Sequence, residues 1–252
     1  MAMLDYAEYL RLSQLSLAHR AQTGHRAEDR FISLHHVSEL LFARQLDELT
    51  DAVAALSRPK PDLLAACRCV ERCRGLIDQL TSVLRLLPEQ ISPGEFASFR
   101  NGLGSASGMQ SHRFWAIEFR SGNRAALSRA RHFSPAGEPD PASTPTLWEV
   151  FLSATTGGSS DPATLVGVLT DGGPVGRLAH LLRAYDLDFA RWRAVHAAMV
   201  EMMIGTAPGT GGSQGSQYLW GRIGLRFYPQ LHEALGRYTE QRQEDEPGGI
   251  HA

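Results

Sequence analysis

The sequence predicts an all-α helical bundle, and three observations carry that prediction. Apolar residues recur at three- and four-residue spacing through long windows. No stretch of four or more residues alternates apolar and polar side chains as a half-buried strand would. The periodic windows stop at proline and glycine, the residues that end helices.

Taken in order, residues 5–20 form a first amphipathic segment. Residues 28–57 keep a 3.6-residue period through Phe31, Leu34, Val37/Ser38, Leu41 and Leu46 until Pro59 and Pro61 break it. A third helix spans 62–86 and is expected to end before Pro88. Ser92-Pro93-Gly94-Glu95 reads as a helix start, with Ser92 as cap, Pro93 first and Glu95 third, and the helix runs to about Leu103. GSASGMQS at 104–111 is a small-residue loop, followed by a helix over 112–122. Residues 124–145, rich in Pro, Ala and Ser, read as a surface connection. Short helices follow at 146–154 and 162–170, then a long one over 174–204, where Asp186 marks an expected interruption. A last helix near 217–238 closes a single domain spanning residues 1–239. The polar stretch 240–252 reads as a disordered tail.

Composition narrows the function. The 252 residues carry a formal charge of −2, so no strong field favours nucleic acid or an anionic membrane surface. Apolar runs are too short to span a bilayer, and the first residues lack the basic start and apolar stretch of a signal peptide, so a cytoplasmic protein is expected. Cys67, Cys69 and Cys73 lie on one predicted helix. An odd count in so short a span makes no disulfide framework, and no CxxC zinc spacing or CxxCH haem attachment is present.

The most informative window is 196–215. His196 shares a helix face with Trp192, Met199, Val200 and Met203, and the helix ends near Gly205. Gly-Thr-Gly-Gly-Ser at 209–213 then offers backbone N–H groups around one hydroxyl, Thr210. It is no P-loop, lacking Gly-Lys-Ser/Thr, and no dinucleotide fingerprint, since a helix precedes it. A lone histidine on an apolar face is commonly a packed core residue. The sharper alternative is an iron ligand for a flat, acid-bearing group such as haem. His35 repeats the ambiguity on a face with Phe31, Ser38/Glu39 and Phe42: core residue, or base above an aromatic substrate.

Five ordered blocks resemble the tryptophan 2,3-dioxygenase family. They are YAEYLRLSQL at 6–15, FISLHHVSEL at 31–40, FRNGLGSASGMQS at 99–111 (with IEF at 117–119 and GN at 122–123), WRAVHAAMVEMMIG with GTGGSQG across 192–215, and RFYPQLHEAL at 226–235. The resemblance implies haem b bound between helices, O2 as co-substrate and a small aromatic amino-acid substrate. It implies His196 as axial iron ligand, His35 as the distal histidine on the indole N–H, Phe31 as a wall of the indole pocket, and Thr210 on the substrate's ammonium and carboxylate. Gly209, Gly211 and Gly212 fall to the cofactor. Tyr6, Tyr9 and Leu10 match positions that reach a neighbouring subunit's site, implying a homotetramer built as a dimer of dimers.

Three departures stand out. Trp115 occupies the place where the family pattern carries an arginine for the substrate carboxylate; Ala207-Pro208 replaces a basic pair; His36 replaces a glutamine. The function implied is a haem-dependent oxygenase that inserts O2 across the indole C2–C3 bond of tryptophan or a close derivative, giving an N-formylkynurenine-type product. The alternative is a haem-dependent monooxygenase of a modified tryptophan or tyrosine-like substrate in natural-product biosynthesis. A haem-binding sensor or carrier without turnover and a plain helical scaffold without haem are the non-enzymatic readings.

Overall fold

A computed structural model describes residues 5–210, 212 and 214–245, and among these it holds twelve α-helices and no strand. Three long helices make the frame: α3 (Arg26–Leu56), α4 (Leu63–Gln90) and α10 (Pro174–Ile204). α4 lies between the other two and packs most extensively against both. Its buried residues, Ala66, Cys67, Cys69, Val70, Cys73, Ile77 and Leu80, follow the helical period and meet Leu49, Ala52, Val53 and Leu56 of α3 and Leu178, Ala179, Leu182, Tyr185 and Phe189 of α10 in one core. Small residues at the contacts, Ala52, Ala66, Cys73 and Ala179, let the axes approach. All three cysteines are free and buried.

Shorter helices surround this frame. α1 (Tyr6–Tyr9) and α2 (Leu12–Ala18) lead in; α5 (Pro93–Arg100), α6 (His112–Ser121), α7 (Leu127–Phe133), α8 (Leu147–Thr156) and α9 (Pro162–Thr170) follow; α11 (Ser216–Trp220) and α12 (Pro229–Asp245) close the chain. The start of α5 is as read: Ser92 Oγ accepts the Glu95 N–H at 3.2 Å, and Glu95 accepts the Ser92 N–H at 2.9 Å. No helix among the described residues is long and apolar enough to cross a membrane.

Several boundaries differ from expectation. Residues 5–20 are two short helices, because Arg11 adopts a left-handed φ of 51° between them. α4 continues through Pro88: a proline in the last turn removes one hydrogen bond, while buried Leu87 and Ile91 anchor that turn. α10 is unbroken at Asp186. Its carboxylate is fully buried and accepts the Phe227 and Tyr228 N–H groups at 3.0 and 3.2 Å, so it serves a distant turn and does not compete with its own helix. The 124–145 connection holds α7, whose Ala126–Ala130 stripe is buried against Trp115 and Phe119. The last expected helix is two, separated by the turn leading to Pro229, and α12 reaches Asp245, into residues assigned to the tail from composition. The rest of the tail lies outside the described residues.

Candidate functional site

α3 and α10 each contribute one face to a common seam. Phe31, His35, Ser38, Glu39 and Phe42 follow one another at helical spacing on α3, as do Trp192, His196, Met199, Val200 and Met203 on α10. Two adjoining cavities open there, of about 210 and 130 Å³. His35, His196, Leu84, Gly108, Met109 and Tyr218 line both. The first continues past Phe31, Phe96 and Met203 to Arg100, Gly209 and Thr210; the second past Phe42, Phe114 and Trp192 to Trp115 and Arg222. His36 lines neither; its ring lies at the outer side against His19, centroids 6.0 Å apart.

The two cavity histidines are neutral for one physical reason. Burial disfavours the imidazolium, holding His35 below the ordinary histidine range and pushing His196 down to about 4, an effect the neighbouring His35 increases. His35 Nδ1 lies 2.8 Å from the Phe31 carbonyl oxygen, which only accepts, so Nδ1 carries the proton and Nε2 keeps its lone pair. The Phe31 ring packs against it, centroids 4.0 Å apart and planes tilted by 37°. The His196 ring rests 5.2 Å from Trp192, and among the described residues neither of its nitrogens has a hydrogen-bond partner. A neutral imidazole with an uncommitted nitrogen on a dry wall is the donor that a haem iron takes, and the residues present fit that group.

The glycine-rich loop contributes unevenly. Gly209 and Thr210 line the first cavity, Gly212 is exposed and off its wall, and Gly211 lies outside the described residues. Thr210 Oγ1 donates to the Ala106 carbonyl at 2.8 Å, so its remaining role toward a ligand is as acceptor, suited to an ammonium. Gly215 also lines the cavity; a Cβ there would clash with the Ala207 carbonyl oxygen, so only glycine lets the loop fold back on the end of α10. Tyr6, Tyr9 and Leu10 are 72%, 68% and 44% exposed, and none lines this chain's own cavities.

Trp115, the position that the resemblance matched to a carboxylate arginine, borders the second cavity and not the first. It is only 2% exposed and donates its single N–H to the Met109 carbonyl at 2.7 Å. The guanidinium carbons of Arg129 and Arg222 sit 4.7 and 5.2 Å from its ring centre. The arginine that reaches the first cavity is Arg100, which sequence reasoning left unassigned. It lies near Thr210, donates to the Pro208 carbonyl, and has no carboxylate partner among the described residues. Its signal was in plain view as the second residue of FRNGLGSASGMQS, but only the fold brings it beside a loop 108 positions away. Also missed was Glu118, fully buried and shared by Arg193 at 3.1 Å, Arg222, and the Asn123 amide at 2.8 Å.

An all-α bundle whose two longest helices bring neutral imidazoles to one apolar seam belongs to the class of helical proteins with a candidate ligand site between facing helices. Comparison with known proteins narrows the class. Residues 1–136 match the model of the family described as tryptophan 2,3-dioxygenase. The chain is 36% identical to the tryptophan 2,3-dioxygenase of Nocardioides sp., over 91% of this chain and 93% of that one. It is 32% identical to the enzyme of that name from Ruegeria pomeroyi, over 92% of each chain, and 31% identical to that of Xanthomonas campestris pv. campestris, over 91% of this chain and 86% of that one. The chain belongs to the tryptophan 2,3-dioxygenase family and is an enzyme of that dioxygenase class.

Proposed function

We propose that this enzyme is a haem b-dependent oxygenase that inserts both atoms of O2 across the indole C2–C3 bond of L-tryptophan or a close indole derivative. The observation that carries this reading is the pair of neutral histidines, His35 on α3 and His196 on α10, facing one apolar seam. Haem supplies, when bound, the iron chemistry that activates dioxygen. His196 holds it through its uncommitted nitrogen. His35 Nε2 accepts the indole N–H, with its tautomer set by the bond to Phe31. Phe31 forms the wall against which the indole lies, and the apolar lining keeps water from the ring. At the amino-acid end, Arg100 offers the charge-assisted partner for the carboxylate and Thr210 the acceptor for the ammonium. Gly209 lines the cavity beside Thr210 on the same loop. The exposed Tyr6, Tyr9 and Leu10 are the segment that completes a neighbour's site in a homotetramer. The monooxygenase alternative drew on loss of a carboxylate arginine at Trp115. Arg100 restores that charge to the cavity and favours the dioxygenase reading.

Reduced, haem-loaded protein given L-tryptophan and O2 tests the proposal by product mass. A product heavier by two oxygen atoms is expected, and His196→Ala is expected to lose the haem absorption while keeping its helical content. A product heavier by one oxygen overturns the dioxygenase reading in favour of hydroxylation. Haem retained undiminished by His196→Ala overturns the ligand assignment.

A further inference from the structure

We infer that Trp115 is a positioning residue: its indole N–H holds the Met109 carbonyl, and through it the Gly108–Gln110 turn that walls both cavities. Gly108 and Met109 belong to the lining of each cavity, so the place of this turn sets the boundary between them. Its own bonds are local. Met109 N–H donates to Ser107 Oγ at 3.3 Å, Gln110 Oε1 accepts the Ser107 N–H at 3.2 Å, and the Gln110 and Ser111 amides donate to the carbonyls of Ser107 and Gly108. Gly108 and Gln110 are exposed to solvent, and among the described residues no ladder of backbone bonds ties the turn to the bundle. The tie is the 2.7 Å bond from Trp115.

That donor is itself immobile. The indole is buried, in edge contact with Phe114 at 5.1 Å, and covered by Arg129 and Arg222. Arg222 is in turn held by the buried Glu118. A rigid aromatic donor fixes the turn where a long charged side chain would let it move. Trp115 therefore acts on ligand fit through Met109 and Gly108, not through its own N–H.

The test replaces Trp115 in the full-length protein with 3-benzothienylalanine, which keeps the bicyclic ring and exchanges the N–H for sulfur; Trp115→Phe serves as the second variant. Amide hydrogen exchange over residues 104–111 is expected to rise about fivefold, the equivalent of one ordinary hydrogen bond, with exchange in α4 and α10 unchanged. L-Tryptophan affinity of the haem-loaded protein, read from its Soret absorption, is expected to fall by a similar factor. This second expectation rests on the proposed function, whereas the exchange readout does not. Unchanged exchange in 104–111 overturns the inference, as does an equal rise across α4 and α10, which marks a general loss of stability. A local rise in exchange with L-tryptophan affinity unaltered confines Trp115 to a structural role and overturns its part in ligand fit. A local rise in protein that binds no L-tryptophan at all overturns the substrate assignment and leaves the tie itself standing.

Discussion

Replacing Trp115 by arginine restores the residue type that the family pattern carries, and simple analogy expects tighter substrate binding. The structure predicts instead a loss of stability. The new guanidinium would lie about where the indole ring is, between two guanidiniums whose carbons are 4.7 and 5.2 Å from the ring centre. At an effective dielectric of about 20, each like-charge pair at that separation costs about 3 kcal/mol. Half-exposed Arg129 is screened and can swing outward, and Glu118 offsets part of the Arg222 charge, so about half of the sum survives. Loss of the bond to Met109 adds about 1 kcal/mol. The expected destabilisation of Trp115→Arg is about 4 kcal/mol, or roughly 10 °C in Tm for a chain of this size. The assay is thermal and urea unfolding followed by circular dichroism, alone and combined with Arg222→Ala. In the double variant Glu118 regains a single strong partner at this end of the cavity, so most of the lost stability returns and the coupling exceeds about 1 kcal/mol. A Trp115→Arg protein melting within about 2 °C of the parent, or one destabilised further by Arg222→Ala, refutes the electrostatic reasoning.

Two further predictions follow from the site. Arg100→Leu removes the cation of the first cavity and is expected to raise KM for L-tryptophan by about 30-fold, the loss of one charge-assisted pair, with the fold retained; an unchanged KM places the carboxylate elsewhere. His35 and His196 are both held neutral below their unfolded value of 6.5. As pH falls through that value the unfolded chain binds protons that the folded chain refuses, so their contribution is complete above 6.5 and is lost as pH falls below it, for His196 down to about 4. Haem-free His35→Leu is expected to show a flatter acid limb than the parent in urea unfolding at pH 4.5–7, and an identical limb refutes the burial argument.

The frame and both histidines were legible because they depend on periodicity within one helix. The spacing of Phe31, His35 and Phe42, and of Trp192, His196 and Met203, is read without knowing what lies opposite. The Ser92–Glu95 capping box was legible for the same local reason. The Arg100–Thr210 end of the cavity was not, because it is made where the end of α5 and the loop after it close on the glycine-rich loop. Arg100 reaches the Pro208 carbonyl and Thr210 the Ala106 carbonyl across 108 and 104 residues of chain. No spacing rule connects such positions. Asp186 was misread for a related reason. A mid-helix aspartate suggests a break when its acceptors lack distant donors, and here Phe227 and Tyr228 supply them.

Trp115 shows the same limit in a form that bears on function. Read position by position, it is a lost arginine. Read through the fold, it is one half of an arrangement whose other half is Arg222. Glu118 is a single buried carboxylate, already shared by Arg193 and Arg222. It has two oxygens, and both face guanidinium groups, with Asn123 also donating to one. A third cation at position 115 would have to share that one carboxylate, and burying an incompletely paired charge costs more than a hydrogen bond there returns. A neutral aromatic ring with one N–H meets the constraint: it accepts Arg129 and Arg222 on its faces and directs its only donor to the turn at Met109. With Arg222 in place, a neutral aromatic ring suits position 115, and the cation bordering the first cavity is Arg100.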